Sequence, residues 1–304
     1  MLRRVTRVDH VLLTRFNLPT PGVEELIRAR EGWLQDRIEL FELYCAPSVA
    51  NQTRPVSWIA YFDPDSPAWL MERLRPLVKR GLFTPILRAS VNHDELLSDV
   101  RDAVPDKGDV LVTTNLDNDD GLAVDFCERI TSLETTHHRA AVYVASGLIK
   151  SADGVYLRTD RENAFCSVRE PWEGAITAWA EYHNEFSRNM PVVHLDGPPG
   201  WLQVVHGANV SNRVRGRLVS PNPHKVRFGN MLDDARVPTP GEMARDLFIN
   251  LPMRAARDGA RSAARMAGLR VLGKDRYQQA KLRLSEIGAY RRPRVGSHDP
   301  VSGV

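Results

Sequence analysis

The stretch Asp109–Leu122, DVLVTTNLDNDDGL, decides the fold that this sequence predicts. Its first half is an apolar run with several β-branched residues, which is typical of a buried strand. The strand leads into a loop that carries Asn118 and three carboxylates, Asp117, Asp119 and Asp120. A helical pattern, GLAVDFCERITSL, begins directly after the loop. A buried strand, a polar loop and a helix in this order form one unit of an α/β fold.

Strands and helices alternate on both sides of this stretch. DHVLLTRFNL, VSWIAYF and LFTPILRAS are predicted strands upstream, and each is followed by an amphipathic helical pattern. Downstream, RAAVYVASGLI is apolar enough to be one strand with both faces covered. This repetition predicts an α/β fold with a doubly wound, mostly parallel sheet and helices on both faces. Ligands bind at the carboxyl ends of the strands in such sheets, which here are residues 14–17, 63–65 and 116–120.

The pattern divides the chain into three parts. Residues 1–220 hold the α/β alternation, which becomes irregular after about Lys150, with turns such as SADG and DGPPG. Residues 221–290 are predicted to be a helical, arginine-rich extension. Residues 291–304 are predicted to be a disordered tail, because polar and turn-forming residues dominate there.

The composition narrows the classes of protein that fit. With 304 residues, of which 42% are hydrophobic and 26% charged, the chain resembles an ordinary soluble protein. Its longest uncharged apolar run, Ala140–Ile149, is too short to span a membrane, and HVLL near the start is too short for a secretory signal. Cys45, Cys127 and Cys166 form no CxxC pair, and no strand is followed by a glycine-rich phosphate loop. We therefore predict a cytoplasmic enzyme or binding protein.

Basic residues concentrate at the end of the chain. Of the 41 Lys and Arg residues, twelve lie from Leu251 onward against four Asp and Glu, which leaves 29 basic and 34 acidic residues in the first 250. Nucleic acid is not an expected partner, because the folded body carries no excess of basic charge. An acidic body with a basic end instead predicts that the end attaches to an anionic surface.

The basic segment begins with the pattern of an amphipathic helix. Arg254, Arg257, Arg261 and Arg265 recur at helical spacing along one face. A mostly alanine stripe lies beside them: Met253, Ala256, Ala260, Ala263, Ala267 and Val271. One hypothesis is that this helix lies on anionic lipid. The alternative is that it packs its alanines on the preceding domain.

Three carboxylates at one strand end repel one another unless a cation or polar ligand offsets their charge. Oxygen ligands at this density suit Mg²⁺ or Mn²⁺, which one or two carboxylates hold together with a substrate phosphate. The alternative is that Asp119 or Asp120 caps the helix that follows. One acid would suffice for capping, so we favour the metal site.

Four motifs resemble one family of enzymes. PSVANQTRPVSWIAYFDPDSP (Pro47–Pro67) is similar to the start of family-2 GT-A glycosyltransferases, and TTNLDNDDGL resembles their DXD position. LLTRFN, the PSV-to-Gln spacing, LDNDD and WLQVVHGANVSN together resemble bacterial putative rhamnosyltransferases across residues 8–212. Asn115 stands before LDNDD where the resemblance leads us to expect Arg. Residues 1–220 would then form a GT-A-like catalytic domain that binds a nucleotide sugar.

The resemblance assigns roles to individual residues. Asp119 resembles the second DXD acid, which binds Mn²⁺ or Mg²⁺ at the donor diphosphate. Asp117 resembles the first, which contacts the donor ribose or reaches the metal through water. Asp63 stands where the base edge is read, and Arg15 and Asn17 would lie beside the nucleotide. A diphosphate needs a cation, and a base and ribose need acceptors, so these residue types suit the chemistry.

Two further residues are candidates. His206 ends an apolar strand and is a possible additional metal ligand, although a lone histidine is often structural. Sugar transfer with inversion needs a carboxylate that takes the acceptor proton. We choose Glu170, because it ends an apolar segment before Pro171, where the chain would turn into the cleft. The other acids of this region are Glu162, Glu173, Glu181 and Asp196.

The sequence thus predicts a metal-dependent glycosyltransferase. It would move a sugar, with rhamnose as a candidate, from a nucleotide-diphosphate donor to a hydroxyl of a cell-envelope glycan or glycolipid. Such an enzyme would be cytoplasmic, or peripheral on the inner face of the cell membrane. The nearest alternative is a metal-dependent phosphoryl hydrolase or nucleotidyltransferase that uses the same acids. A third hypothesis is a non-catalytic adaptor that binds membrane or nucleic acid.

Overall fold

Two β-sheets organise the residues that the computed structural model describes, which are 6–19, 32–206 and 213–260. Seven strands form the first sheet: β1 (Val8–Arg15), β2 (Ser57–Phe62), β3 (Thr84–Leu87), β4 (Val110–Asn115), β6 (Ala140–Val144), β9 (Ser167–Glu170) and β10 (Val192–Leu195). Their order across the sheet is β10-β6-β9-β4-β1-β2-β3. All neighbours are parallel except β9, which runs antiparallel to both β4 and β6. The predicted mostly parallel sheet is confirmed.

Helices cover both faces of this sheet, as predicted. Along β1 the side chains alternate between two apolar clusters, because successive residues of a strand point to opposite faces. Leu12 packs in one cluster with the helices before β2 and β3, and Val11 and Leu13 pack in the other with the helix before β4. All three side chains are fully buried. Burial on both faces fixes the register of the central strands.

The helices lie close to where the sequence places them. The described helices are α1 (Trp33–Leu40), α2 (Ala46–Ala50), α3 (Ala68–Lys79), α4 (His93–Ala103), α5 (Phe126–Thr131), α6 (Lys225–Phe228) and α7 (Pro240–Arg245). A π-helical turn, Phe41–Cys45, joins α1 to α2 without a break, and a second, Asp246–Asn250, continues α7 into a helix that runs on to residue 260. Short 3₁₀ turns occupy Phe186–Arg188, Asn222–His224 and Gly229–Leu232. Residues 20–31, where the first predicted helix begins, lie outside the described residues.

A second sheet, which the sequence did not predict, stands beside the first. It consists of β5 (Gly121–Leu122), β7 (Ser146–Ser151), β8 (Gly154–Thr159), β11 (Trp201–Val204) and β12 (Arg217–Val219), in the order β12-β8-β7-β11-β5. Because Gly121 and Leu122 pair with β11, the helix expected from Gly121 begins only at Phe126.

The prediction of one strand over RAAVYVASGLI is wrong, because the chain passes from the first sheet to the second at Ala145. The Ala145 N–H donates to the carbonyl of Leu195 beside β6, and its carbonyl accepts from the N–H of Asp160 at the end of β8. Just beyond, Gly147 leaves room for the Trp201 ring, since a Cβ there would lie 2.0 Å from an indole carbon. β6 and β7 therefore follow each other directly but belong to different sheets.

The first residues of the predicted 221–290 extension pack against the second sheet. Phe228, Met231 and Leu232 are buried in one apolar cluster with Leu148 and Leu202. The ammonium group of Lys150 on β7 also lies 2.5 Å from Asp234 Oδ1. The first residues of the predicted 221–290 extension thus complete the core of the second sheet. Residues 261–290 of the extension and the predicted disordered tail, 291–304, lie outside the described residues.

Candidate active site

The carboxyl ends of three neighbouring strands meet at one edge of the first sheet. β1 lies between β2 and β4 and is parallel to both, with Arg15 opposite Tyr61 and Leu13 opposite Asn115. Arg15 and the loops after β2 and β4 are therefore brought to the same edge. This edge is where ligands bind in open α/β sheets.

Asp119 lies at the centre of this edge and is almost fully buried. Its Oδ2 atom lies 2.5 Å from Nη1 of Arg37 on α1 and 3.0 Å from Nε2 of His206. The same Arg37 nitrogen donates to Asn118 Oδ1 at 3.0 Å. Burial alone would raise the pKa of Asp119, but the hydrogen bond from His206 and the charge of Arg37 hold it below its usual value. Asp119 is therefore an ionised carboxylate with two basic partners.

Asp117 stands at the solvent-exposed rim of the same loop. The protein around its carboxylate displaces water, and the negative charge of Asp119 adds to this effect, so its pKa rises to about 6. Asn115 donates to Asp117 Oδ1 at 3.3 Å, and the positive charges of Arg15 and Arg37 partly oppose the rise. Asp117 and Asp119 lie close enough to affect each other's ionisation.

Asp120 has a structural part in the loop. Its side chain is fully buried, and Oδ1 accepts a hydrogen bond from the backbone N–H of Val204 at 2.8 Å. Among the described residues, Oδ2 finds no partner. Burial, with the charges of Asp119 and Asp117, raises its pKa well above the usual value. Asp120 thus ties the loop to β11, which ends two residues before His206.

The alternative that Asp119 or Asp120 caps the following helix is wrong. The residue before α5 is Asp125, and its side chain makes no capping hydrogen bond. Asp125 instead pairs with Arg227. Capping of the following helix therefore does not account for the presence of Asp119 and Asp120 in the loop.

The predicted nucleotide-binding residues line the rim beside the acids. Asn17 donates to Ser66 Oγ at 2.9 Å and accepts from the backbone N–H of Asp63 at 3.1 Å, which holds the ends of β1 and β2 together. The guanidinium of Arg15 stacks on the Trp179 ring, 4.1 Å from its centroid. Trp179 in turn donates to Asn115 Oδ1 at 2.8 Å. Arg15 and Asn17 are therefore each held by contacts at the end of β1.

Glu170 requires a correction, because the structure does not bring it to this edge. β9 runs antiparallel to β4, so Glu170 pairs with Leu111 near the beginning of β4, whereas the acidic loop follows its end. The Glu170 carboxylate is fully buried. It accepts hydrogen bonds from Arg139 Nε at 2.8 Å and from the backbone N–H groups of Ile176 and Thr177 at 3.0 and 2.9 Å. Glu170 is a structural carboxylate and is not placed to take an acceptor proton.

Two residues of the site escaped the sequence analysis. Asn115 was noted only as a departure from the expected Arg, yet its side chain contacts Asp117, Trp179 and the carbonyl of Ala164. Arg37 lies in an amphipathic helix, where no motif distinguishes it from a surface residue. The helical pattern of α1 does place Arg37 next to the core residue Ile38. This is the one sequence feature that indicates a position close to the core for Arg37.

The donors at this edge have the chemistry of a Mg²⁺ or Mn²⁺ site but form an incomplete one. Asp119 and His206 converge on one point, and Asp117 adds a carboxylate at the rim. Within residues 6–19, 32–206 and 213–260, no group of three or more potential ligands is arranged to hold a metal by itself. Such ions are often bound by one or two carboxylates together with substrate phosphates. The residues therefore fit a metal that arrives with a diphosphate, provided that Arg37 leaves Asp119 Oδ2.

The mostly parallel sheet with helices on both faces agrees with the GT-A type fold that the sequence resemblance implied. The chain belongs to the family of putative rhamnosyl transferases, whose sequence model matches residues 9–218. No curated protein matches it.

Several solved structures are similar to this chain at low identity. S. aureus TarS 1-349 is 10% identical over 65% of this chain and 60% of that one, with a TM-score of 0.39. The inositol-1-phosphate CTP transferase from T. maritima is 10% identical over 75% and 98%, with a TM-score of 0.38. A putative nucleotide-diphospho-sugar transferase from Desulfovibrio desulfuricans G20 is 14% identical over 64% and 82%, with a TM-score of 0.29. The chain thus spans about 60% of the TarS fragment's length.

None of the helices in the described parts of the chain combines the length and apolar character that crossing a membrane requires.

Proposed function

We propose that this protein transfers a sugar from a nucleoside-diphosphate donor to a hydroxyl group, with Mn²⁺ or Mg²⁺ bound by Asp119 and His206. The observation that carries the proposal is the convergence of His206 Nε2 on Asp119 Oδ2 at 3.0 Å, from segments 87 residues apart. Asp117 contributes a second carboxylate at the rim, toward the metal through water or toward the donor ribose. The bound metal would supply positive charge to the departing diphosphate.

The remaining roles belong to the strand ends. Asp63 and Asn17, joined by a hydrogen bond, offer acceptors and donors to the base of the nucleotide. The guanidinium of Arg15 lies over the Trp179 ring, and its N–H donors suit a phosphate oxygen or a ribose hydroxyl. These residues bind and orient the donor. Orientation of reacting groups lowers the activation free energy by several kcal/mol in favourable cases.

The family description supports rhamnose as the transferred sugar. A hydroxyl of a cell-envelope glycan or glycolipid remains the acceptor that we propose. The products distinguish this function from the nearest alternative. A sugar transferase releases nucleoside diphosphate, whereas a phosphoryl hydrolase or a nucleotidyltransferase would release monophosphate, inorganic phosphate or pyrophosphate.

The test compares Asp119→Asn with a matched control, Asp106→Asn, in an assay of nucleoside diphosphate release from nucleotide sugars. Asp106 is an exposed acid paired with Arg7 at the opposite end of β4. We expect the Asp119 variant to lose about 10³-fold in turnover, because it removes a charged group that acts on the leaving diphosphate. The control variant should keep its activity. Full turnover in the Asp119 variant, or in excess chelator, would overturn the metal site.

Attachment to an anionic lipid surface is part of this proposal, but the apolar residues that we propose for it lie mostly before the expected alanine stripe. Arg254 is only partly exposed, because it pairs with buried Asp246 at 2.7 Å and lies over the Tyr156 ring. Arg257 is exposed, and Arg261 and Arg265 lie outside the described residues. The neighbouring apolar side chains are the exposed ones: Leu247, Phe248, Ile249 and Met253.

These four residues, the apolar patch, lead into a segment with twelve basic and four acidic residues. An apolar patch beside clustered basic charge is typical of interfacial segments that bind anionic lipid. The basic residues attract the surface, and the patch inserts shallowly.

Vesicle sedimentation with phosphatidylglycerol tests this attachment. Phe248→Ser should weaken binding, and high salt should abolish it through screening. The control is Tyr182→Ser, since Tyr182 is 78% exposed and Phe248 is 76% exposed. Equal binding by both variants, or none by the wild type, would count against a lipid-binding patch.

A further inference from the structure

Arg37 stands where a cation is expected at this site. Its side chain is largely buried, and Nη1 lies 2.5 Å from Asp119 Oδ2 and 3.0 Å from Asn118 Oδ1. The guanidinium also lies over the ring of Trp33, one helical turn earlier, at 5.1 Å from the centroid. Arg37 is therefore held in one orientation by an aromatic face and two oxygen acceptors.

The pair places a positive charge against a buried carboxylate. A buried charge is costly unless an opposite charge and hydrogen bonds compensate for it. Arg37 and His206 supply both for Asp119. A divalent metal bound by Asp119 would also compensate for its negative charge. The metal and Arg37 can therefore each neutralise the same carboxylate.

The metal and the guanidinium compete for one atom. Asp119 Oδ2 already accepts hydrogen bonds from Arg37 Nη1 and from His206 Nε2. His206 Nε2 must carry a proton to donate to this oxygen. A metal that binds both Oδ2 and His206 Nε2 requires Arg37 to move away and the Nε2 proton to be lost or moved to Nδ1, and two cations side by side would also repel each other. Metal alone should therefore bind weakly.

A diphosphate changes this balance. Its oxygens accept bidentate hydrogen bonds from a guanidinium, which is the geometry that suits arginine best. Arg37 displaced from Asp119 would then gain a new anionic partner. The diphosphate would thus draw Arg37 away from Asp119 and free Oδ2 for the metal. The metal would in turn release Arg37 to bind the diphosphate.

We propose that Arg37 occupies the metal position on Asp119 in the empty enzyme and passes to the donor diphosphate when the metal binds. This inference rests on the proposed function. Its consequence is that metal and nucleoside diphosphate bind cooperatively, and that Arg37 is the residue that couples them. Coupling between two ligands is reciprocal, so each must raise the affinity for the other by the same factor.

The test measures Mn²⁺ binding by electron paramagnetic resonance in wild type and Arg37→Gln, first alone and then with UDP, GDP or dTDP. We expect Arg37→Gln to bind Mn²⁺ alone about ten-fold more tightly, because the competing cation is gone. The same variant should bind nucleoside diphosphate with Mn²⁺ about ten-fold more weakly, because it loses a charged hydrogen bond to phosphate. The cooperativity between the two ligands should fall accordingly.

Two further variants sharpen the result. Arg37→Lys keeps the charge but loses the planar fork, so its Mn²⁺ affinity should stay near wild type while its diphosphate affinity falls. The control is Arg73→Gln, since Arg73 pairs with Glu42 in a partly exposed ion pair that includes none of the site residues. This variant should leave both affinities unchanged.

The outcomes separate the inference from the proposed function. If Arg37→Gln weakens Mn²⁺ and nucleotide binding together, Arg37 only holds the loop in shape and the inference is wrong. Unchanged Mn²⁺ affinity in Arg37→Gln would also overturn it, while the metal site would stand. If neither protein binds Mn²⁺ with any of the three nucleotides, the proposed metal-dependent function fails as well. Circular dichroism of each variant verifies that it is folded.

Discussion

Two buried pairs of an arginine and a carboxylate lie at opposite ends of β4, and they differ in what holds the acid. Glu170 receives two of its three hydrogen bonds from backbone N–H groups, which the fold cannot move. Among the partners of Asp119 are two side chains, those of Arg37 and His206. Side chains can turn to a ligand, whereas backbone groups are fixed. A buried acid is thus available for chemistry when its partners are able to leave.

A third pair, Asp246 with Arg254, combines both kinds of partner. Asp246 accepts from the backbone N–H of Leu218 at 2.7 Å and from Arg254 at 2.7 Å. Arg254 also donates to the carbonyl of Gly216. This pair joins the last described helix to β12, so we expect it to act on stability and not on turnover.

Glu170→Gln should produce the largest effect on stability. Breaking a buried ion pair costs about 3–5 kcal/mol when both partners are buried, and the partial exposure of Arg139 reduces this to about 2 kcal/mol. Turnover of the folded variant should stay within about three-fold of wild type, because Glu170 lies away from the strand end. Urea unfolding and a turnover assay measure the two quantities. A large loss of turnover in folded protein would restore Glu170 as a catalytic candidate.

Asp246→Asn should remove a pH dependence of stability. Burial opposes ionisation of Asp246, but hydrogen bonds from Arg254 and Leu218 lower its pKa below the usual value. A carboxylate with a lowered pKa in the folded state stabilises the fold above the ordinary pKa of about 3.9 and loses this contribution as the pH falls. Wild type should therefore lose about 1 kcal/mol more than the variant between pH 5 and pH 2. Parallel acid unfolding curves for the two proteins would contradict this account.

Trp179→Phe should have the smallest effect. The variant keeps an aromatic face under Arg15 but loses the hydrogen bond from the indole nitrogen to Asn115. One neutral hydrogen bond contributes about 1 kcal/mol, so we expect the donor KM to rise a few-fold with little change in kcat. A comparable change in Trp172→Phe, whose indole bonds to Asp9, would show that the effect does not arise from the strand end.

Much of the fold followed from the sequence, because β1, β2 and β4 are separated by helices with clear periodicity. The second sheet did not, since Ala140–Ile149 is apolar throughout and nothing in it marks Ala145 as the place where the chain changes sheets. Asp117 and Asp119 were recognisable from their position after a buried strand. Glu170 was misassigned because the composition of a short strand does not reveal its direction, and an antiparallel β9 places its end at the far side of the sheet.

The chain passes from the first sheet to the second at Ala145, and it enters the second sheet again at β11. This path also determines the order in which the site can form. His206 follows a strand whose partners, Gly121 and Leu122, were synthesised about eighty residues earlier. Long-range pairing of this kind is slow compared with the closing of local helices. During synthesis, the parallel strands and their acids exist before β11 emerges, and in that interval Asp120 lacks the Val204 N–H and Asp119 lacks the imidazole. We infer that a nascent chain would acquire the proposed metal site only after β11 has paired, so that Mn²⁺ affinity would report on that pairing.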